Sequence, residues 1–236
     1  MITATRPDLG HVEHVGRTEG LAAAVTALLG PAPDEVCAGR GHVALPAGLA
    51  AGVRRWRVDG TAWERVLLTP IEHPLAASAG FDLLSVTPAG APADAPGVRP
   101  PPELAPELAA ELVAGLAAAR LGVARRLLDL AVEHLTRRHA DGEPIIRRQL
   151  VQGTVADALA AIDMCRHMAR QAAAPAAAPA AALAAGRLHA RIGEIGWWIA
   201  TLFGAAGYLA DHPAAELYVS ELVADVWVEW CPGEEG

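Results

Sequence analysis

Leucine recurs at every fourth position once the chain passes residue 103, at Leu104, Leu108, Leu112 and Leu116. This spacing puts the leucine side chains on one face of a helix. Glutamates occupy the start of the segment and arginines its end, an order that suits the helix dipole. The pattern predicts a long helix whose apolar face must be covered by other elements.

Three further helices are expected after this one, over about 147–171, 184–210 and 213–228. The alanine- and proline-rich stretch 172–183 is expected to be a loop, because proline interrupts helices. Pro213 stands where a helix commonly begins. Four helices joined by short loops predict an antiparallel bundle.

The first hundred residues have a different pattern, with frequent glycine and proline and short apolar runs. We expect a helix over 18–29, a hairpin of 53–58 with 62–68 around the Asp-Gly turn, and a strand over 81–86. The fold class predicted is mainly α, with a reduced N-terminal β-containing segment over 1–100 and a helical bundle over 101–236. A proline-rich loop or linker, 87–102, joins the two.

Composition removes several classes of function. The net charge of −8 argues against a nucleic-acid binder or a protein of anionic membranes. All 19 basic residues are arginine, so no Schiff-base lysine and no phosphate-loop lysine exist. The uncharged run 195–210 falls short of the roughly 18–20 residues of a membrane span and is expected to be a buried helix. Three widely spaced cysteines favour a reducing, cytoplasmic location.

Isolated motifs add little. His11 and His14 are spaced like a metal pair, yet no further ligands lie nearby, so we expect a solvated loop in a mobile terminus and no metal site. Cys165 falls on an apolar helix face and is expected in the core. Serine-hydrolase, zinc-protease and dinucleotide-binding motifs are absent from the sequence.

Four motifs follow one another in the C-terminal half: RLGVAR at 120–125, RRHADGEPIIRRQLVQ at 137–152, GAAGY at 204–208 and HPAAELY at 212–218. In order and spacing they resemble the LGIA, R-x-x-F-G-x-P-I-x-x-x-Q-x-V-Q, GGxGY and YPVERLY motifs of the acyl-CoA dehydrogenase C-terminal helical domain. The resemblance implies the fold of that domain.

The resemblance also implies a cofactor. Family members hold FAD across a subunit interface with an arginine, a phenylalanine, a glutamine and a double glycine. Their positions fall on Arg138, Asp141, Thr201 and the pair Gly204–Ala205, with Gly207 closing the loop. An aspartate facing a pyrophosphate would repel it. Arg138 has a structural alternative, neutralising helix carbonyls, and the two glycines have another, close helix packing.

The front half matches the family less well. The hairpin WRVDGTAWERV resembles the family's NGxKxWITN strand pair, which would put Trp63 beside the flavin. The flavin-binding loop TEPxAGSD has no counterpart. A hundred residues are too few for both the N-terminal helical domain and the β domain of the family.

The resemblance implies a glutamate as catalytic base, which takes the α-proton of an acyl thioester while the β-hydride passes to the flavin. Glu229, between two tryptophans, is the candidate, one residue out of step when counted from Tyr218. An apolar surrounding would raise the pKa of this carboxyl, as a base for a weak carbon acid needs. The alternative is a fraying terminus beside Glu234 and Glu235.

Three functions stay open on the sequence alone. The first is an FAD-dependent dehydrogenase, or a subunit of one, acting on an acyl thioester of CoA or a carrier protein. The second is a flavin-free partner that keeps the bundle as an oligomerisation scaffold. The third is a cofactor-free acid–base enzyme that reuses the old pocket. Family members form dimers or tetramers, some with one degenerate partner, so homo- and hetero-oligomers are both expected.

Overall fold

The computed structural model describes residues 8–39, 41–58, 61–89, 106–173 and 178–228. The fold is mainly helical with a small β part, as the sequence predicts. In chain order the helices are α1 (Leu9–Thr18), α2 (Leu21–Leu29), α3 (Pro74–Ser78), α4 (Pro106–Arg137), α5 (Gln149–Ala172), α6 (Ala178–Leu202) and α7 (Ala215–Val228). Helices α4 to α7 form the bundle, and α1 and α2 pack against α4 within the same apolar core.

Two glycines let α1 lie directly on α4. A Cβ on Gly122 would come within 2.2 Å of the Glu13 carbonyl oxygen, and one on Gly16 within 2.5 Å of the Ala119 carbonyl oxygen. Only glycine permits so close an approach of two helix backbones. The glycine of the RLGVAR motif therefore serves the crossing of α1 and α4.

The described residues contain three small sheets: two in the N-terminal part, which we call the β part, and a two-stranded hairpin between α4 and α5. The strands are β1 (Glu35–Ala38), β2 (His42–Pro46), β3 (Arg55–Val58), β4 (Thr61–Trp63), β5 (Val66–Ile71), β6 (Phe81–Pro88), β7 (His139–Ala140) and β8 (Glu143–Pro144). The first sheet has the order β1-β3-β4, with β1 and β3 parallel. The second has the antiparallel order β2-β6-β5, and β7 pairs with β8. Pro70 lies on the edge strand β5, where a missing N–H costs no ladder bond.

One side chain of the bundle ties it to this β part. Trp227 packs against both apolar cores, and its Nε1–H donates to the carbonyl oxygen of Ala44 over 2.9 Å. The C-terminal end of α7 therefore lies beside β2.

Several expectations for the front half need correction. The helix expected over 18–29 begins only at Leu21, after Gly20, whose φ of 100° is a conformation that glycine adopts readily, and the preceding helix α1 was not expected. His11 and His14 lie on α1, a helix with Val12 and Val15 in the core, and not in a mobile loop. The hairpin is confirmed only in part: β3 pairs with β4, but the strand expected over 62–68 is divided, and its second half lies in β5 of the other sheet. The strand at Phe81 is confirmed, whereas β1 and β2 were not expected.

The bundle helices lie close to their expected positions. The expected loop 172–183 is shorter than predicted, since α6 begins at Ala178 and carries Pro179 in its first turn. At its other end α6 stops at Leu202, and a 3-10 turn follows at Gly204–Tyr208. The division into units at residue 100 stays a prediction.

Candidate cofactor site

The antiparallel bundle brings three helix ends together. The C-terminal end of α4, the N-terminal end of α5 and the C-terminal end of α6 share one end of the bundle, which we call the bundle end. Two aromatic contacts join the end of α4, the end of α6 and the loop before α7: the His134 and Phe203 rings lie 5.7 Å apart between centroids, and the Phe203 and His212 rings lie 4.6 Å apart. The residues that the motifs assign to the cofactor, Arg138, Thr201 and the Gly204 loop, all adjoin these contacts.

Arg138 directly follows α4, and its N–H donates to the carbonyl oxygen of His134 over 3.1 Å. Its side chain is exposed. Among the described residues no carboxylate pairs with its guanidinium, whereas the neighbouring Arg137 has Glu133 at 3.3 Å. Arg138 thus offers an unneutralised cation at the bundle end.

Asp141 occupies a tight turn between β7 and β8. It has a φ of 58° and the following Gly142 has 84°, the signature of a type I′ hairpin turn. Its Oδ2 accepts a hydrogen bond from Nη2 of Arg148 over 2.6 Å. The repulsion expected from an aspartate at this position is therefore offset by a neighbouring arginine.

Helix α5 begins beside this hairpin. Its N-cap residue is Arg148, and no side chain caps its first N–H groups. The free N–H groups and the positive end of the helix dipole favour an anion. The electrostatic potential at the N-terminus of α5 is thus positive, like the charge of Arg138.

The loop after α6 contains two glycines with different roles. Gly204 is exposed at a φ of 62°, and a Cβ there would meet nothing within 4 Å. Gly207 is buried, and a Cβ there would come within 2.4 Å of the Ala200 carbonyl oxygen. Close packing thus explains Gly207, while Gly204 and the exposed Ala205 leave backbone open to solvent or a ligand.

Thr201 lies on the last turn of α6, with its side chain exposed. Its hydroxyl donates to the carbonyl oxygen of Trp198 over 2.6 Å. The oxygen can still accept a hydrogen bond, but it does not reach outward as a glutamine side chain would.

The two remaining predicted residues are Trp63 and Glu229. Trp63 is half-buried on β4, paired in register with Trp56, and packs into the apolar core of the β part. Glu229 lies outside the described residues. Helix α7 starts at the bundle end and leads to Trp227 beside β2, a length of about 20 Å at 1.5 Å per residue.

An exposed aromatic cluster flanks the loop. The ring of Trp197 lies 6.3 Å from that of Tyr208 and 5.5 Å from that of Tyr218. Trp197 and Tyr208 are each about half exposed, and Leu209 beside them is 56% exposed. Because Thr201 follows Trp197 by one helical turn, these two side chains lie on one face of α6.

A buried polar network in the middle of the bundle was not predicted. The Arg120 side chain, 1% exposed, donates from Nε to Oγ of Ser220 over 2.9 Å and from Nη1 to the His189 carbonyl oxygen over 3.2 Å. Its Nη2 pairs with Glu221. Arg120 follows Leu116 by one turn on the buried face of α4. A charged residue at a position expected in the core was the sequence feature that could have predicted this network.

The network fixes the tautomer of His189. Nδ1 of His189 lies 2.9 Å from Nη1 of Arg120, which can only donate, so Nδ1 is the acceptor. Nε2 then carries the proton and donates to the Val113 carbonyl oxygen over 3.1 Å. Burial and, secondarily, the charge of Arg120 lower the pKa of His189 to about 3, so this imidazole is neutral at pH 7.

Within the described residues, no helix has the length and apolar character needed to cross a bilayer.

Comparison with known folds gives three informative matches. A variant of the Tcur3481-Tcur3483 steroid ACAD matches with a TM-score of 0.63 and 19% identity, over 94% of this chain and 71% of that chain. The ChsE4-ChsE5 complex from Mycobacterium tuberculosis matches with a TM-score of 0.58 and 19% identity, over 92% and 71%. Butyryl-CoA dehydrogenase from Megasphaera elsdenii matches with a TM-score of 0.58 and 18% identity, over 84% and 60%.

These structures share the fold of this chain, which spans only part of each of them. No curated protein sequence matches the chain significantly. Residues 113–227 match the family described as acyl-CoA dehydrogenase, C-terminal domain, and this segment includes Arg138, Thr201 and the Gly204 loop but ends before Glu229. Residues 113–227 therefore form an acyl-CoA dehydrogenase C-terminal domain, and the described chain has the acyl-CoA dehydrogenase fold.

Proposed function

We propose that this protein is one subunit of a two-component acyl-CoA dehydrogenase-type flavoprotein, in which it lends its bundle end to an FAD held mainly by a partner subunit. The assembly would carry out α,β-dehydrogenation of an acyl thioester of CoA or a carrier protein. The observation that carries the proposal is the unpaired Arg138 beside the open Gly204 loop.

The bundle end fits the phosphate part of FAD. Arg138 supplies an unneutralised guanidinium, the uncapped start of α5 supplies free N–H groups, and the positive φ of Gly204 exposes backbone. Arg148 offsets the charge of Asp141, the one nearby feature expected to repel phosphate. When bound, FAD would accept the β-hydride of the acyl group.

The residues expected near the flavin make contacts within this chain instead. Trp63 is engaged in the core of its own sheets, and Thr201 bonds to its own helix. The isoalloxazine ring is therefore assigned to the partner subunit, and this chain's contribution is to bind and orient the phosphate side.

A partner of different sequence is favoured over a second copy. The two structures that match most of this chain, at 94% and 92%, are both named for two components. The cluster of Trp197, Tyr208 and Leu209 supplies an exposed apolar surface next to the Gly204 loop, and such patches mark protein interfaces. One partner would cover this cluster and the cofactor at once.

Helix α7 runs for about 20 Å from the bundle end to Trp227 beside β2. In the proposed assembly, Arg138 of this chain and a base at Glu229 would serve different flavins.

The proposal is tested by co-expressing the chain with a full-length acyl-CoA dehydrogenase of the same organism and measuring the FAD affinity of the purified complex. Arg138→Ala should weaken FAD binding about tenfold or more, the value of a hydrogen bond to a charged group. Arg170→Ala is the matched control, since this exposed arginine at the other end of α5 should leave the affinity unchanged. Equal affinities for the two variants would refute the role of Arg138.

The two flavin-free alternatives predict different results in the same experiment. A scaffold subunit would form the complex without any dependence of FAD affinity on Arg138. A non-redox acid–base enzyme would turn over a thioester with no flavin in either chain.

A further inference from the structure

His134 is the residue of the bundle end to which no role has been assigned. It precedes Arg138 by four residues, so both side chains lie on the same face of the last turn of α4. The ring is partly buried, and its Nε2 is buried without a hydrogen-bond partner among the described residues. An unpartnered buried nitrogen of this kind is uncommon and calls for an explanation.

The groups around His134 are cationic or neutral. Arg137 and Arg138 act on it from α4, His212 acts from the loop before α7, and the end of α6 contributes the uncharged ring of Phe203. Nδ1 of His212 accepts the N–H of Ala214 over 3.1 Å. Burial is the largest cause that lowers the pKa of His134, and Arg138 is the strongest charged cause.

We propose that His134 takes up a proton when a phosphate-bearing ligand binds at Arg138, so that binding at the bundle end tightens as the pH falls. This inference rests on the proposed function and adds its regulation. The physical step is electrostatic: an anion at Arg138 cancels the main cationic influence on His134 and attracts an imidazolium. By linkage, whatever raises the affinity of His134 for a proton raises the affinity for the anion equally.

The direction of the pH dependence of binding follows from this linkage. Between the pKa of His134 in the free protein and its higher pKa in the liganded protein, binding takes up a proton. The dissociation constant then falls as the pH is lowered, by at most about tenfold per pH unit. Above both pKa values the affinity is independent of pH.

The direct test follows the His134 ring signal by NMR in the full chain, with and without inorganic pyrophosphate. The signal is assigned by its loss in His134→Gln. The pKa of His134 should rise by about half a unit to one unit when pyrophosphate is present, as expected for charges a few ångströms apart at a surface. Relative to His134→Gln measured at the same pH, the wild type should bind pyrophosphate about three- to tenfold more tightly at a pH below the pKa of His134 in the free protein than at a pH above its pKa in the liganded protein.

His139→Gln is the matched control, because this exposed histidine on β7 should leave the pH dependence intact. Repeating the titration with FAD and with CoA shows which nucleotide supplies the phosphate. Binding that is independent of pH in the wild type, or equally pH-dependent in His134→Gln, would overturn the inference and leave the proposed function standing. Failure of pyrophosphate, FAD and CoA to bind the chain at any pH would overturn the inference, whereas the proposed function, in which a partner holds most of the FAD, is decided by the FAD affinity of the co-expressed complex.

Discussion

Gly16 of α1 and Gly122 of α4 lie against each other where the two helices cross, with an ideal Cβ of Gly16 only 3.4 Å from Cα of Gly122. The RLGVAR motif thus has a structural purpose in this chain: it joins the N-terminal helices to the bundle. The crossing also explains why Val12 and Val15 of α1 share a core with the helices of the bundle.

Gly122→Ala should destabilise the protein by about 1–3 kcal/mol or more, the range for overpacking a core, because backbone atoms of α1 cannot yield as a flexible side chain would. Urea denaturation followed by circular dichroism measures this. Gly186→Ala is the control: it is also helical, nothing lies within 4 Å of its Cβ position, and it should stabilise slightly. Equal effects of the two variants would disprove the close crossing.

Arg120→Ala should destabilise the protein by about 2–6 kcal/mol, because it leaves Oγ of Ser220 and Nδ1 of His189 buried without a hydrogen-bond partner, at about 1–3 kcal/mol each. It removes the partner of Glu221 and the donor to the buried Ser220. Arg125→Ala provides the comparison, since its exposed pair with Asp129 should contribute no more than about 0.5 kcal/mol. Urea denaturation measures the free energy of unfolding of each variant. Equal losses in the two variants would contradict the buried network around Arg120.

His189 should make the protein sensitive to acid. Its pKa is about 3 in the folded chain and 6.5 ordinarily, so the unfolded state binds the additional proton between these values. Stability from this group is complete above about pH 6.5 and falls by about 1.4 kcal/mol for each unit towards pH 3. His189→Gln should show a shallower loss of unfolding free energy between pH 6 and pH 4. If both proteins lose stability at the same rate, His189 is not buried as described.

Glu229→Gln should abolish turnover of the flavoprotein complex while leaving its FAD content unchanged, if Glu229 is the base. The loss expected is about 100-fold or more, as for removal of a positioned base. Glu235→Gln, a glutamate in the same terminal segment, is the control. Retained turnover in Glu229→Gln would assign the base elsewhere.

Periodicity was enough to predict the bundle, because a helix with leucine at every fourth position has an apolar face that other helices must cover. It failed at Pro179, since a proline in the first turn of a helix breaks no hydrogen bond. Strands β1 and β2 are four and five residues long, too short for an alternating pattern to be recognised. Local sequence also did not reveal that Gly20 divides α1 from α2.

The candidate site was only partly accessible from the sequence. Motif spacing located Arg138 and the Gly204 loop, which the fold brings to one end of the bundle. It did not reveal that Arg148 pairs with Asp141. Nor did it reveal that the N–H of Leu21, at the start of α2, donates to Oε1 of Glu216 over 2.7 Å. Contacts of this kind depend on tertiary packing. The Arg120 network was missed for the same reason, since its partners lie on α6 and α7.

The flavin content of the co-expressed complex tests the central claim most directly. We expect the chain purified alone to be colourless and the complex with its full-length partner to be yellow, with the absorbance near 450 nm lost on desalting when Arg138 is replaced by alanine. A complex that forms but takes up no FAD would contradict the account.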